Sequence, residues 1–68
     1  MNDKTEALKR AVANVGGQAK LARLIGVTAQ AVLQWDKVPP LRVLIVERVS
    51  GVSRHELRPD LYPLEIRA

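Results

Sequence analysis

Apolar residues recur at helical spacing along most of this chain, and strictly alternating stretches are rare. Near the N-terminus they follow a polar start in which Asp3 and Glu6 form a capping-box pattern, with Asp3 as the expected N-cap. The apolar positions that predict this first helix are Ala7, Leu8, Ala11, Val12 and Val15. The helix is expected to end at Gly16 and Gly17, because glycine readily adopts the left-handed conformation that terminates helices.

The next segment predicts two short helices joined by a tight turn. Residues 18–25 form the first of them, and Gly26 ends it because glycine accepts the backbone conformation that such a turn needs. Thr28 is the expected N-cap of the second, which runs to about Asp36. The small or apolar side chains expected to pack between the two are Leu21, Ala22, Ile25, Val27, Val32 and Trp35. This arrangement, from Gln18 to Trp35, is typical of a helix-turn-helix.

The C-terminal half predicts two further helices and an irregular tail. Pro39 and Pro40 start a fourth helix that runs to about Ser50 and is ended by Gly51. The residues expected on its inward face are Leu41, Leu44, Ile45 and Val49. Ser53 opens one or two turns of a fifth helix, and the tail alternates too weakly for a strand.

The predicted fold class is therefore all-α. We expect a compact, lambda-repressor-like bundle of about five short helices that contains the helix-turn-helix. Residues 1–63 form the predicted DNA-binding domain, and residues 64–68 form the C-terminal tail.

The third helix has two different sides. At 100° per residue, Thr28, Ala31, Val32 and Trp35 form the side expected to be buried, with Trp35 in the core. The other side carries no charge, although a helix surface made only for solubility usually has Lys or Glu there. A glutamine amide matches adenine in the major groove, and Ala or Leu can contact a thymine methyl group. The predicted base-contacting residues are Thr28, Ala29, Gln30, Leu33 and Gln34. The alternative is that the glutamines only solvate the helix.

Phosphate contacts are expected beside this surface. The backbone N–H groups at the start of the second helix, near Gln18, suit an anion, and Lys20 lies in the same turn. Lys37 and Arg42 flank the end of the third helix, and Arg23 is a further candidate. Each could instead be an ordinary solvated charge, but together they would supply salt-sensitive affinity for DNA.

The composition indicates the kind of binding partner and argues against several other classes of protein. The 68 residues include 11 basic and 7 acidic side chains, a net charge of +4 that favours a polyanionic partner but also suits plain solubility. The chain has no cysteine and one histidine, His55, expected to be an exposed helix residue. We expect no enzyme activity, cofactor, metal or small-molecule ligand. No apolar run reaches the ~18 residues of a membrane span, and the polar N-terminus is unlike a signal peptide, so a cytoplasmic location is expected.

The sequence also resembles a known group, the small phage Cro-like repressors of the YdaS-type helix-turn-helix family. The resemblance extends from about Ala7 to Pro63 and is most specific in the segment VSRHELRPDLYP, residues 52–63. Gln30-Ala31-Val32 and Gln34-Trp35 also match the recognition helix of that family. The resemblance implies repression of a phage or prophage operator, often by a dimer, and some members are described as antitoxins.

Two functional hypotheses follow. The first is a sequence-specific regulator of transcription that reads double-stranded DNA with the helix 28–36. The second is an antitoxin or protein-interaction module. The exposed Leu33 and the apolar tail favour this second hypothesis. We also expect a weak homodimer, formed through residues 62–68 or, alternatively, near Arg48 on the fourth helix.

Overall fold

The computed structural model describes residues 4–63, and this part of the chain is all-helical, which confirms the predicted fold class. A 3-10 turn at Pro40–Arg42 lies between the third and fourth of its α-helices. The α-helices are α1 (Glu6–Val15), α2 (Gln18–Ile25), α3 (Ala29–Gln34), α4 (Val43–Ser50) and α5 (Arg54–Leu57). No helix of the described residues is long and apolar enough to cross a membrane.

Helix α1 begins later than the sequence predicts. Its N-cap is Thr5, whose hydroxyl accepts a hydrogen bond from the Leu8 N–H at 3.2 Å. Asp3, the expected N-cap, lies outside the described residues, and the hydroxyl of Thr5 takes the capping role. The other end follows the prediction, since Gly16 has a φ of +101° and its N–H donates to the carbonyls of Val12 and Ala13.

The turn between α2 and α3 forms as predicted. Gly26 has a φ of +82°, and its N–H donates to the Ala22 carbonyl at 2.9 Å. The Thr28 hydroxyl then accepts from the Ala31 N–H at 3.0 Å and begins α3. The helix ends at Gln34, earlier than Asp36, because Trp35 already has an extended backbone with a ψ of 134°.

The predicted inward face of the fourth helix is right for Ile45 and Val49, which pack against the core, and wrong for Leu41 and Leu44. Pro40–Arg42 forms a 3-10 turn, and α4 begins only at Val43. Its buried residues are Val43, Val46 and Ser50, whereas Leu41 is 94% exposed and Leu44 is 49% exposed. Residues 43–46 are all apolar, so their pattern left the helix phase ambiguous, and the 3-10 turn rotates the chain differently from an α-turn.

The core is aliphatic and draws on every helix. Each α-helix contributes at least one almost fully buried side chain: Leu8, Leu21, Val32, Val46 and Leu57. Trp35, expected in the core, is only half-buried and packs against its edge. Its large ring therefore covers the core instead of filling it.

Polar contacts fasten the C-terminal segment to the rest. The buried Arg58 guanidinium donates to the Val38 carbonyl at 2.8 Å and makes two hydrogen bonds with the Asp60 carboxylate, at 2.9 and 2.7 Å. Glu47 on α4 accepts from the Arg54 backbone N–H and Nε at 2.9 and 3.0 Å. These contacts join the loop after α3 and the helix α4 to the last described segment.

His55 differs from its predicted role. Its ring is half-buried, and Nδ1 lies 2.8 Å from the carbonyl oxygen of Tyr62. The Arg54 guanidinium lies over the Tyr62 ring, with Cζ 5.8 Å from the centre of the ring. The expectation of an exposed histidine is therefore wrong, because the chain after α5 folds back over that helix.

Replacement of Arg58 by methionine should reduce the free energy of unfolding by about 1–3 kcal/mol, because the buried Val38 carbonyl loses its charged donor. Urea denaturation at pH 7 measures this change. Arg48→Met removes the same charge from an exposed position on α4 and is the matched control. Equal losses in the two variants would contradict a structural role for the Arg58 hydrogen bonds.

Acid should destabilise the fold through two carboxylates. The side-chain hydrogen bonds from Arg58 hold the pKa of Asp60 well below its usual range, and the Arg54 backbone N–H lowers the pKa of Glu47. A lowered folded-state pKa gives stability that is complete above the unfolded pKa, about 4, and is lost as the pH falls further. The melting temperature should therefore fall below about pH 4. Asp60→Asn should shrink that fall, and an unchanged acid profile would contradict this assignment.

Candidate nucleic-acid interface

The outer side of α3 is exposed and carries no charge. All five residues predicted to contact bases are exposed to solvent, and Leu33 is 54% exposed. The opposite side of the helix holds Val32, which is completely buried. The structure thus brings together, on α3 and its N-cap, five exposed residues: Thr28, Ala29, Gln30, Leu33 and Gln34.

Helix α3 is held mainly by α2. Ala22 and Ile25 of α2 are buried, 2% and 5% exposed, in the same core as Val32. The small Ala22 side chain allows the two helices to approach closely, as its position in the sequence predicts. Gly26 reverses the chain between them, so the outer side of α3 is fixed relative to α2.

The end of α3 is held by a residue that the sequence did not indicate. Lys4 Nζ donates to the carbonyls of Val32 at 2.8 Å, Leu33 at 3.2 Å and Trp35 at 2.7 Å. Partial burial lowers the pKa of the Lys4 ammonium, and the nearby Asp36 opposes that shift. These partners are up to 31 residues away in the chain, so no local pattern could have predicted them.

The predicted phosphate-contacting side chains are mostly exposed and carry no acidic partner. Lys20, Arg23, Lys37 and Arg42 lie at the surface, and none forms an ion pair with another described residue. Lys37 does help to lower the pKa of Asp60, after the stronger effect of Arg58. Gln18 is half-buried at the first turn of α2, where the N-cap Gly17 has no side chain to accept from the free N–H groups.

Four of the five acidic side chains among residues 4–63 form ion pairs away from α3. The pairs are Glu6 with Lys9, Glu56 with Arg10, Glu47 with Arg54 and Asp60 with Arg58. The fifth, Asp36, is exposed two residues after the end of α3 and acts electrostatically on Lys4, whereas residues 18–35 contain no acidic residue at all. Positive charge without an acidic partner is therefore concentrated on α2 and just after α3, with Arg48 on α4 as a further exposed example.

An apolar groove of about 510 Å³ runs beside α3. Arg42 is one of the residues that line this groove, together with Ala31 of α3. The other lining residues are Val27, Trp35, Pro39, Pro40 and Leu41. No group of acidic or histidine side chains among residues 4–63 is arranged to hold a metal ion.

Comparisons with known proteins bear on the family and the fold. The chain is 39% identical over 69 residues to a protein of Escherichia coli strain K12 named "Putative transcriptional regulator YdaS", an alignment that covers 90% of this chain and 68% of that protein. The structure resembles that of the Cro protein from the prophage element Xfaso 1 of Xylella fastidiosa strain Ann-1. The TM-score is 0.82 and the identity is 32%, over 88% of this chain and all of the Cro chain.

A family of proteins also matches most of the chain. Residues 8–66 match the family described as "Bacterial toxin YdaS", a description that stands beside the regulator and Cro names of the individual relatives. The helix-turn-helix, the Cro-like fold and this match lead to one assignment: the chain belongs to the YdaS family.

Proposed function

We propose that this protein is a sequence-specific, double-stranded-DNA-binding regulator of transcription that reads the major groove with α3. The observation that carries the proposal is the uncharged outer side of α3 next to exposed basic side chains that have no acidic partner. The names of the relatives, a transcriptional regulator and a Cro protein, support DNA binding in general.

Base recognition would rest on the two glutamines. A side-chain amide offers both a donor and an acceptor, which match the N6 and N7 positions of adenine. Gln30 and Gln34 are four residues apart on α3 and therefore lie on one side of the helix. Leu33 and Ala29 lie on the same side and could contact thymine methyl groups. The preferred site should therefore contain A·T pairs.

Phosphate contacts would orient α3 in the groove. Lys20 and Arg23 on α2 would contact the backbone on one side of the reading helix, with the free N–H groups near Gln18. Lys37 and Arg42 would contact it beyond the other end. Contacts of this kind carry no sequence information but supply much of the affinity and its salt dependence.

We propose that the regulator is a repressor that binds an operator as a weak homodimer. One recognition helix covers only a few base pairs, and helix-turn-helix proteins usually read two half-sites about one DNA turn apart. The tail proposed for this contact falls mainly on residues 64–68, outside the described part of the chain. Within the described part, Leu57 is buried and Tyr62 packs against the core, so both serve the fold of their own chain.

A second candidate function is binding of a partner protein, as in an antitoxin. The observation that favours it is the apolar surface next to α3, where Leu41 is 94% exposed and Leu33 is 54% exposed. A protein partner would bind stoichiometrically and with little salt dependence, whereas an operator would be bound with a steep salt dependence.

Selection of bound duplexes from a random pool, followed by alanine substitution, tests base reading. Gln30→Ala and Gln34→Ala should each weaken binding to the selected site by ~1–3 kcal/mol and relax the choice of base there. Neither side chain is buried, so thermal stability should change little. A two-fold repeat in the selected sites would support the dimer.

Gln18→Ala is the matched control for the two glutamines, because it removes the same amide from the start of α2 and keeps the backbone N–H groups. It should leave the base preference unchanged. Wild-type affinity in both Gln30→Ala and Gln34→Ala would refute α3 as the reading helix.

Salt titration tests the phosphate contacts. Lys20→Ala, Lys37→Ala and Arg42→Ala should each weaken specific and unrelated duplexes to similar extents. Each should also reduce the slope of log affinity against log salt by about 1. Arg48→Ala removes an equally exposed charge from α4 and should leave the slope unchanged. A slope near zero in the wild type would support the protein-partner alternative.

A further inference from the structure

We propose that Lys4 is a positioning residue for DNA reading: its ammonium group holds the C-terminal end of α3 and thereby fixes the orientation of the side chains that contact bases. The inference rests on the proposed function, since it concerns how α3 is held for that task. Lys4 lies outside both the base-contacting and the phosphate-contacting sets.

The end of α3 has a particular need for donors. The last four carbonyls of any α-helix lack partners within the helix, and α3 has only six residues. Among the described contacts, the Trp35 N–H donates to the Val32 carbonyl at 3.1 Å. Lys4 Nζ donates to that carbonyl as well, and to those of Leu33 and Trp35. A cation at this position also opposes the negative end of the helix dipole.

Lys4 is itself firmly anchored. The next residue, Thr5, caps α1 through its hydroxyl and donates its backbone N–H to the Asp36 carbonyl at 2.8 Å. The α1 residue bonded to that hydroxyl, Leu8, is completely buried in the core. Residues 4 and 5 therefore tie the end of α3 to α1, while α2 holds the middle of α3 and the Thr28 hydroxyl caps its start.

The same hydrogen bonds argue against a direct phosphate contact by Lys4. A lysine ammonium has three N–H donors, and Lys4 Nζ lies within hydrogen-bond distance of three carbonyl oxygens. No donor is left for a phosphate oxygen unless one of these bonds breaks. Lys4 should thus influence the choice of base without contributing to the salt dependence of binding.

The test compares Lys4→Met with Lys9→Met. Methionine retains most of the aliphatic length and removes the charge and the donors, while Lys9 is an exposed residue of α1 whose loss changes the net charge equally. Affinities for the selected duplex and for an unrelated duplex are measured over a range of salt concentrations. Lys4→Met should weaken the selected duplex by roughly tenfold or more. Its salt slope and its affinity for the unrelated duplex should match those of Lys9→Met.

Three results of this comparison would overturn the proposal. Equal weakening of both duplexes with a slope reduced by about 1 would make Lys4 a phosphate contact. If Lys4→Met bound the selected duplex with wild-type affinity, Lys4 would have no role in reading the bases. Lys4→Arg, which restores the charge and the donors, should recover part of the lost selectivity, and a variant that recovers none would also count against the proposal.

A measurement on the wild-type protein alone covers the case in which Lys4→Met fails to fold. Nuclear magnetic resonance can detect scalar coupling across hydrogen bonds from the Lys4 ¹⁵Nζ to the carbonyl carbons of Val32 and Trp35. Such coupling supports the attachment, and its absence at low temperature overturns it. Because no DNA is present, this result stands apart from the proposed function, which fails instead if the wild type selects no duplex.

Discussion

The stability of α3 is the constraint on which the rest of this structure depends. An isolated helix shorter than about 12–15 residues is marginal in water, and α3 has six residues with one fully buried side chain. Its outer side must also remain exposed if it is to read DNA. The helix is therefore fixed at three places: the Thr28 hydroxyl at its start, Val32 against α2 in its middle, and the Lys4 ammonium at its end.

The small core explains why polar contacts recur at the joints between helices. A chain of this length buries only about 60% of the surface that it exposes when unfolded, and here the core is aliphatic with Trp35 at its edge. Loops and helix ends then need other attachments. Arg58 fastens the loop after α3 through the Val38 carbonyl, and Glu47 fastens the start of α5. Both attachments use a charged group to satisfy backbone polar groups, and such hydrogen bonds are stronger than neutral ones.

The separation of charge links the fold to the proposed function. Four acidic side chains of the described residues pair with Lys9, Arg10, Arg54 and Arg58, so Asp36 is the one exposed carboxylate left near α3 among residues 4–63. The basic residues of α2 and those that follow α3 have no such partner. This leaves a largely positive border around an uncharged surface, and the proposed function assigns the phosphate contacts to the border and the choice of base pairs to the centre.

The sequence by itself determined the elements whose signals are local. Gly26 and Thr28 defined the turn and the start of α3, and periodicity separated the outer side of that helix from Val32, because these effects act within one or two turns of chain. The tertiary structure alone decided the phase of α4, where residues 43–46 are all apolar and only packing selects Val43 and Val46 for burial. It also decided the partners of Lys4, His55 and Arg58. A lysine in a polar N-terminal segment can bond the end of α3 only after α1, α2 and α3 have packed, so its role depends on contacts between distant residues and leaves no periodic pattern in the sequence.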